Sequence, residues 1–147
     1  MYSENFKLRH LQEIKYVVDI SIIQIVEASI TQAEQLGALI AFSLMHDGKI
    51  LAIGGIYDLW PGVGEAFSIM SDTAFNYSKS LYQHFKINLD FGVNYKKYTR
   101  VQSIVKVGFD AGVRFIEHLG FEREGRMEKW GPDGSDYYMY KRIMQWQ

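Results

Sequence analysis

The chain has no cysteine among its 147 residues, which excludes disulfides, thiolate nucleophiles, iron–sulfur clusters and cysteine-based zinc sites. Only two prolines occur, and no Pro- or Ser-rich linker, internal repeat or low-complexity tract marks a boundary, so residues 1–147 read as one domain. An excess of either charge is also missing. The 16 Lys and Arg stand against 17 Asp and Glu for a net charge of −1, which lacks the basic footprint of a nucleic-acid binder. No long apolar run is present either: the most apolar stretch, Val17 to Val26, is interrupted by Asp19 and Gln24. Met1 to Asn5 lack the basic start of a secretory signal, so a cytoplasmic protein without a membrane partner is expected. His10, His46, His84 and His118 are scattered, without the paired spacing of zinc ligands, and no metal is expected.

What the sequence does hold is the material of a core, with 48% hydrophobic and 15% aromatic residues, too apolar for a disordered chain. Phe6 to Arg9 is read as a short first strand. From Ser21 to Leu36, Ile22, Ile23, Val26, Ile30, Ala33 and Leu36 recur at helical spacing with polar residues between them, and Gly37 ends the helix. Leu39 to Met45 and Ile50 to Tyr57 flank Asp47-Gly48, a pair suited to the positive φ angles of a tight hairpin. Gly54 and Gly55 inside the second run imply a bulge or the close approach of another group. After a turn over Leu59 to Gly64, Glu65 to Met70 forms a fourth strand.

Ser71, Asp72, Thr73 and Asn76 are residue types that cap helices, and Leu81, Tyr82, Phe85, Leu89 and Gly92 supply the apolar stripe of a second long helix. Tyr98 to Val105 reads as a fifth strand, and Phe109, Val113, Ile116 and Leu119 as a helix stopped by Gly120. Glu122 to Trp130 and Asp136 to Ile143, separated by the turn residues Gly131 to Ser135, make a closing hairpin. This is an α+β domain: a mixed, mostly antiparallel sheet of six to seven strands with three to four helices on its faces.

The segment Gly112 to Arg142, with Leu119-Gly120-Phe121 after a helix, Glu124-Gly125 in the next strand, and Tyr140 and Arg142 in a terminal hairpin strand, resembles the C-terminal motif of the GNAT family of acyl-CoA N-acyltransferases. The order of elements over Phe6 to Ile143 agrees with that fold. Ile50 to Phe67 is further similar to short GNAT-like proteins of tailed bacteriophages. The resemblance implies an acetyl-CoA-dependent N-acetyltransferase in which an amine, on a small molecule or a protein, attacks the thioester directly. It places the pantetheine of acetyl-CoA along the fourth strand at Ile69, Met70 and Ser71. The pyrophosphate then falls at the following helix N-terminus, on Asn76, Ser78, Lys79 and Ser80, where free amides and the helix dipole favour an anion.

For catalysis the resemblance implies Glu65 as the base, with Asp58 and His46 behind it, and a tyrosine near the closing hairpin as acid: Tyr138, with Tyr137 and Tyr140 beside it. Acceptor selection is expected from Val17 to Leu36 and from Tyr57 to Gly64, with Trp60 over a sheet edge or in the acceptor cleft. One face of the tyrosine-rich strand suits core packing or contact with a second copy of the chain. Two features depart from the family pattern. No glycine lies between Met70 and Leu81, where the family keeps a glycine-rich phosphate loop, and Ile116 stands where many members carry the acidic tyrosine. These departures support the alternative reading, a GNAT-fold protein that binds or builds without catalysis.

Overall fold

A computed structural model of the chain describes residues 1–14 and 20–146. Four strands in antiparallel register come first: β1 (Tyr2–Asn5), β2 (Leu39–His46), β3 (Lys49–Trp60) and β4 (Val63–Met70). Asp47 and Gly48 take φ of 50° and 72° and close the β2–β3 hairpin in two residues, as the dipeptide predicts. Pro61 and Gly62, the latter at φ 88°, turn β3 into β4, which begins two residues before the expected Glu65. The first strand is Tyr2–Asn5 and not Phe6 to Arg9. Tyr2 to Asn5 pair residue for residue with Met45 to Phe42, whereas the backbone turns at Lys7, whose carbonyl accepts the His10 amide, and the short α1 (His10–Glu13) follows.

The helix α2 (Ile20–Gln35) ends where the Ala38 amide reaches back to the Ala33 carbonyl and Gly37 adopts φ 68°. Its apolar stripe, with Ile23 and Ile30, joins Leu11, Ile14, Ile50, Ile53 and Ile69 in a core on one sheet face. The other face carries the larger core, in which α3 (Ser78–Lys96) and α4 (Asp110–His118) lay Leu81, Phe85 and Ile116 over Phe42, Ile56 and Val101. Gly54 and Gly55 serve close approach. A Cβ on Gly55 would stand 2.4 Å from the Ile40 carbonyl oxygen, and one on Gly54 2.9 Å from the rings of Phe42 and Phe85. The register shifts of the sheet fall elsewhere, between Leu44 and Met45, Asp58 and Trp60, and Arg123 and Gly125.

The remaining strands are β5 (Arg100–Lys106), β6 (Glu122–Met127) and β7 (Tyr137–Ile143), which complete a seven-stranded sheet of order β1-β2-β3-β4-β5-β7-β6. The cap-type residues after β4 do not cap α3. A 3-10 turn, Ala74–Tyr77, intervenes, and neither Thr73 before it nor Tyr77 before α3 makes a side-chain cap among the described residues. One pairing differs in kind from the rest: β4 and β5 run parallel and pair only at Val63↔Arg100, Gly64↔Val101 and Glu65↔Gln102. Beyond those three positions the two strands diverge.

Candidate functional site

Divergence of neighbouring strands leaves backbone groups without ladder partners. The Ala66 carbonyl faces the gap, because it accepts a hydrogen bond from Ser103 Oγ at 2.8 Å across it. Backbone groups of alternate strand residues point to the same side, so Ser68 and Met70 also turn their N–H and C=O toward β5, beyond the last ladder pair. Phe67, Ile69 and Ser71 turn theirs toward β3, and the Ser71 amide donates to the Leu51 carbonyl at 2.9 Å. A cavity of about 570 Å³ occupies the gap, with walls from both faces of the sheet: Ile22, Val26 and Phe67 on the α2 side, Phe109, Phe115 and Ile116 on the α3–α4 side.

Glu65 sits at the closed end of the gap, on the last β4–β5 pair. Burial pushes its carboxyl up to about 7, against the opposing pull of a hydrogen bond from Gln102 and the positive charge of Arg100. A chain of contacts orients that hydrogen bond. Glu124 holds the Arg100 guanidinium through two bonds of 2.7 and 3.0 Å, and Arg100 Nε donates to Gln102 Oε1 at 3.0 Å, so the Gln102 amide nitrogen is left to face Glu65. Glu65 Oε2 is buried with no hydrogen-bond partner among the described residues. Opposite it in the β3–β4 register stands Tyr57, whose phenol is raised by burial and then by the Glu65 charge, while Ser29 on α2 opposes the shift. A carboxylate so placed can take a proton from a group entering the cavity near neutral pH.

The other carboxylate and imidazole expected behind Glu65 are engaged elsewhere. Asp58 accepts from Lys96 Nζ at 2.9 Å and from the Tyr98 hydroxyl. His46 lies by the β2–β3 turn, against the Tyr77 ring and 3.5 Å from Asp47. Tyr138 does not line the gap cavity. Side chains alternate along β7, so Tyr137 is on the wall, while the Tyr138 ring lies under the Arg123 guanidinium, 3.8 Å from its centroid. Tyr140 is fully buried and its hydroxyl donates to Glu117. Ile116 lines the cavity as hydrocarbon. Trp60 is exposed at the β3–β4 turn and is not on the cavity wall. Of the acceptor segment Val17 to Leu36, residues 17–19 lie outside the described residues, and Ile22, Ile23 and Val26 line the cavity.

Of the three pantetheine positions read from the sequence, Met70 alone faces the gap. Ile69 is buried in the α2-side core, and both Ile69 and Ser71 direct their amides to β3; Ser68 takes the place that alternation denies them. A second cavity, of about 420 Å³, lies between the start of α3 and α4 and is lined by Ser78, Lys79, Tyr82, Arg114, Phe115 and His118, among others. Ser78 and Lys79 of the expected phosphate set are therefore on a cavity wall, and Asn76 and Ser80 are not. Arg114 is not singled out by the sequence, and His118 enters there only as one of the scattered histidines, although the two stand four apart on one helix; the His118 ring nitrogen Nδ1 lies 2.7 Å from the Arg114 carbonyl. Among the described residues no cluster of side chains suits a metal ion, and no helix is long and apolar enough to cross a membrane.

Solved structures of GNAT acetyltransferases share this architecture. A ribosomal-protein-alanine N-acetyltransferase from Brucella melitensis superposes with a TM-score of 0.73 over 98% of this chain and 100% of its own, at 11% identity. A variant of spermidine N-acetyltransferase from Vibrio cholerae gives 0.70 over 97% and 95% at 12% identity, and a GNAT-family acetyltransferase from Bacillus anthracis 0.68 over 96% and 93% at 13%. No family model matches the sequence, and no curated protein is similar to it in sequence. At these identities the likeness is one of fold: the chain has the GNAT acyl-CoA N-acyltransferase fold, with a seven-stranded mixed sheet and four α-helices among the described residues.

Proposed function

We propose that the protein is an acetyl-CoA-dependent N-acetyltransferase that moves an acetyl group to an amine. One observation carries this reading: the β4–β5 gap joins unpaired strand backbone to a buried carboxylate with an open lone pair. The residues fit the donor. Ser68 and Met70 offer backbone partners to the pantetheine amides, and Lys79 and Arg114 offer cations to the phosphates. In the reaction the amine nitrogen bonds to the thioester carbonyl carbon, the carbon–sulfur bond breaks, Glu65 takes the proton released from nitrogen, and the departing thiolate is protonated by solvent. The structural neighbours named as acetyltransferases support the same chemistry.

The base assignment has a sign that kinetics can read. Below about 7 Glu65 is protonated and accepts nothing, so turnover should rise with pH through that region. Glu65→Gln should lower kcat by about a hundredfold and flatten that limb, with acetyl-CoA affinity nearly unchanged. Equal turnover in the variant across pH would remove Glu65 as the base.

A second reading, a GNAT-fold binding or structural protein without catalysis, is favoured by the glycine-free stretch between Met70 and Leu81 and by Ile116 in the cavity wall. Failure of acetyl-CoA to bind at millimolar concentration would select it. Kinship with the short phage proteins belongs to the same proposal and rests on Ile50 to Phe67.

A further inference from the structure

Among the described residues the charged groups lining the gap cavity are Glu65, Glu4 and Lys106, and beside Glu65 the wall is largely hydrocarbon. On the α2 side of the gap cavity its described neighbours are Ile22, Ile23, Val26, Tyr57 and Phe67. Ile23 belongs to the core on that face, Val26 and Phe67 pack against it, and the Phe67 and Tyr57 rings lie 6.1 Å apart. The floor is Gly55, where the crowded Ile40 carbonyl admits no side chain. Among the described residues the other carboxylate on the cavity wall is Glu4 in β1, three strands from β4 in the sheet and 3.4 Å from His10 Nε2, and the cation on that wall is Lys106, whose Nζ donates to Asp133 at 3.0 Å. Arg100 and Gln102 are committed to Glu124 and to Glu65 itself.

This wall can hold one cationic or neutral amine at Glu65 Oε2 and an apolar body beside it. Among the described residues a second ammonium, as in a polyamine, would meet Ile22, Ile23, Val26 and Phe67 beside Glu65 and no second carboxylate there, and a peptide would bring amides that find no partner on Ile22, Val26 or Phe67. We propose that the acceptor is a monoamine with an apolar, aryl or alkyl body, its nitrogen bound at Glu65 and its body between α2 and the sheet. The proposal rests on the acyl-transfer reading of this cavity, but its test needs no transfer.

The test is calorimetric titration of the full chain at about pH 8 with 2-phenylethylamine, with spermidine and with an alanine tripeptide amide, acetyl-CoA being titrated separately. Phenylethylamine should bind at least about tenfold more tightly than the other two, and Glu65→Gln should weaken it by about tenfold. Val26→Asp, which sets a second carboxylate on the α2 wall, should narrow the preference over spermidine by about fivefold or more. Spermidine or tripeptide binding as tight as that of phenylethylamine, or phenylethylamine binding that is absent or indifferent to Glu65→Gln, would overturn the proposal. The two readings fail separately. Phenylethylamine bound without any acetyl-CoA binding would end acyl transfer and keep the amine site, whereas acetyl-CoA and spermidine bound with phenylethylamine excluded would keep acyl transfer and end the apolar acceptor.

Discussion

At the scale of single residues, the hydrocarbon around Glu65 disfavours its ionised form, and this makes the stability of the fold depend on pH. Its carboxyl moves from an ordinary 4.5 in the unfolded chain to about 7 in the folded one. Below the first value both states hold the proton and nothing is lost. Between the two the unfolded chain ionises first, so stability falls as pH rises, and above about 7 the folded state bears the full cost, on the order of 3 kcal/mol. Glu65→Gln has no such cost. In urea unfolding it should therefore exceed the native chain in stability at about pH 8 by a margin of that order, and match it near pH 4; a constant difference across pH would show that folding leaves the Glu65 carboxyl at its ordinary value. A residue that weakens the fold at the pH where it would act as a base fits a site kept for function.

At the scale of elements, local chemistry was legible and register was not. Asp47-Gly48 predicts its hairpin because two positive φ angles decide it, and Leu119-Gly120-Phe121 predicts its helix stop because Gly120 alone adopts φ 91° there. The first strand is not legible locally, because Tyr2 to Asn5 gain strand structure from partners some forty residues away in β2, which no local pattern announces. Of the run Ile69, Met70 and Ser71 only Met70 faces the gap, with Ser68 beside it, because the face depends on pairing with β3. Likewise the chain from Glu124 through Arg100 and Gln102 to Glu65 spans three strands and is visible only in the folded sheet. Arg114 and Lys79 belong to different helices and meet only because α3 and α4 pack side by side on one face of the sheet. If their shared cavity holds the phosphates of the donor, Lys79→Ala and Arg114→Ala should each weaken acetyl-CoA binding by about tenfold and leave binding of phosphate-free pantetheine unchanged. Equal losses for both ligands would assign the two cations to the fold.

At the scale of the whole molecule, the sheet is two sheets joined by a short seam. β1 to β4 form one antiparallel unit and β5, β7 and β6 another, and only Val63 to Glu65 pair across, helped by Ser103 on the Ala66 carbonyl. Each half is covered on one face by the core under α3 and α4, so the halves are held together by side-chain packing more than by their ladder. A pantetheine arm in the gap would add the missing rungs, and acetyl-CoA would then act on folding stability as well as on chemistry. Amide hydrogen exchange separates the two sides of one strand and so tests this directly. In the free protein Ser68 and Met70 should exchange faster than Phe67 and Ile69, whose amides face β3. With acetyl-CoA at about 100 times its Kd, protection should rise first at Ser68 and Met70, and global stability by about 2.7 kcal/mol. A rise in global stability with no change of order along β4 would place the donor outside the gap, and the strand divergence would then need another occupant.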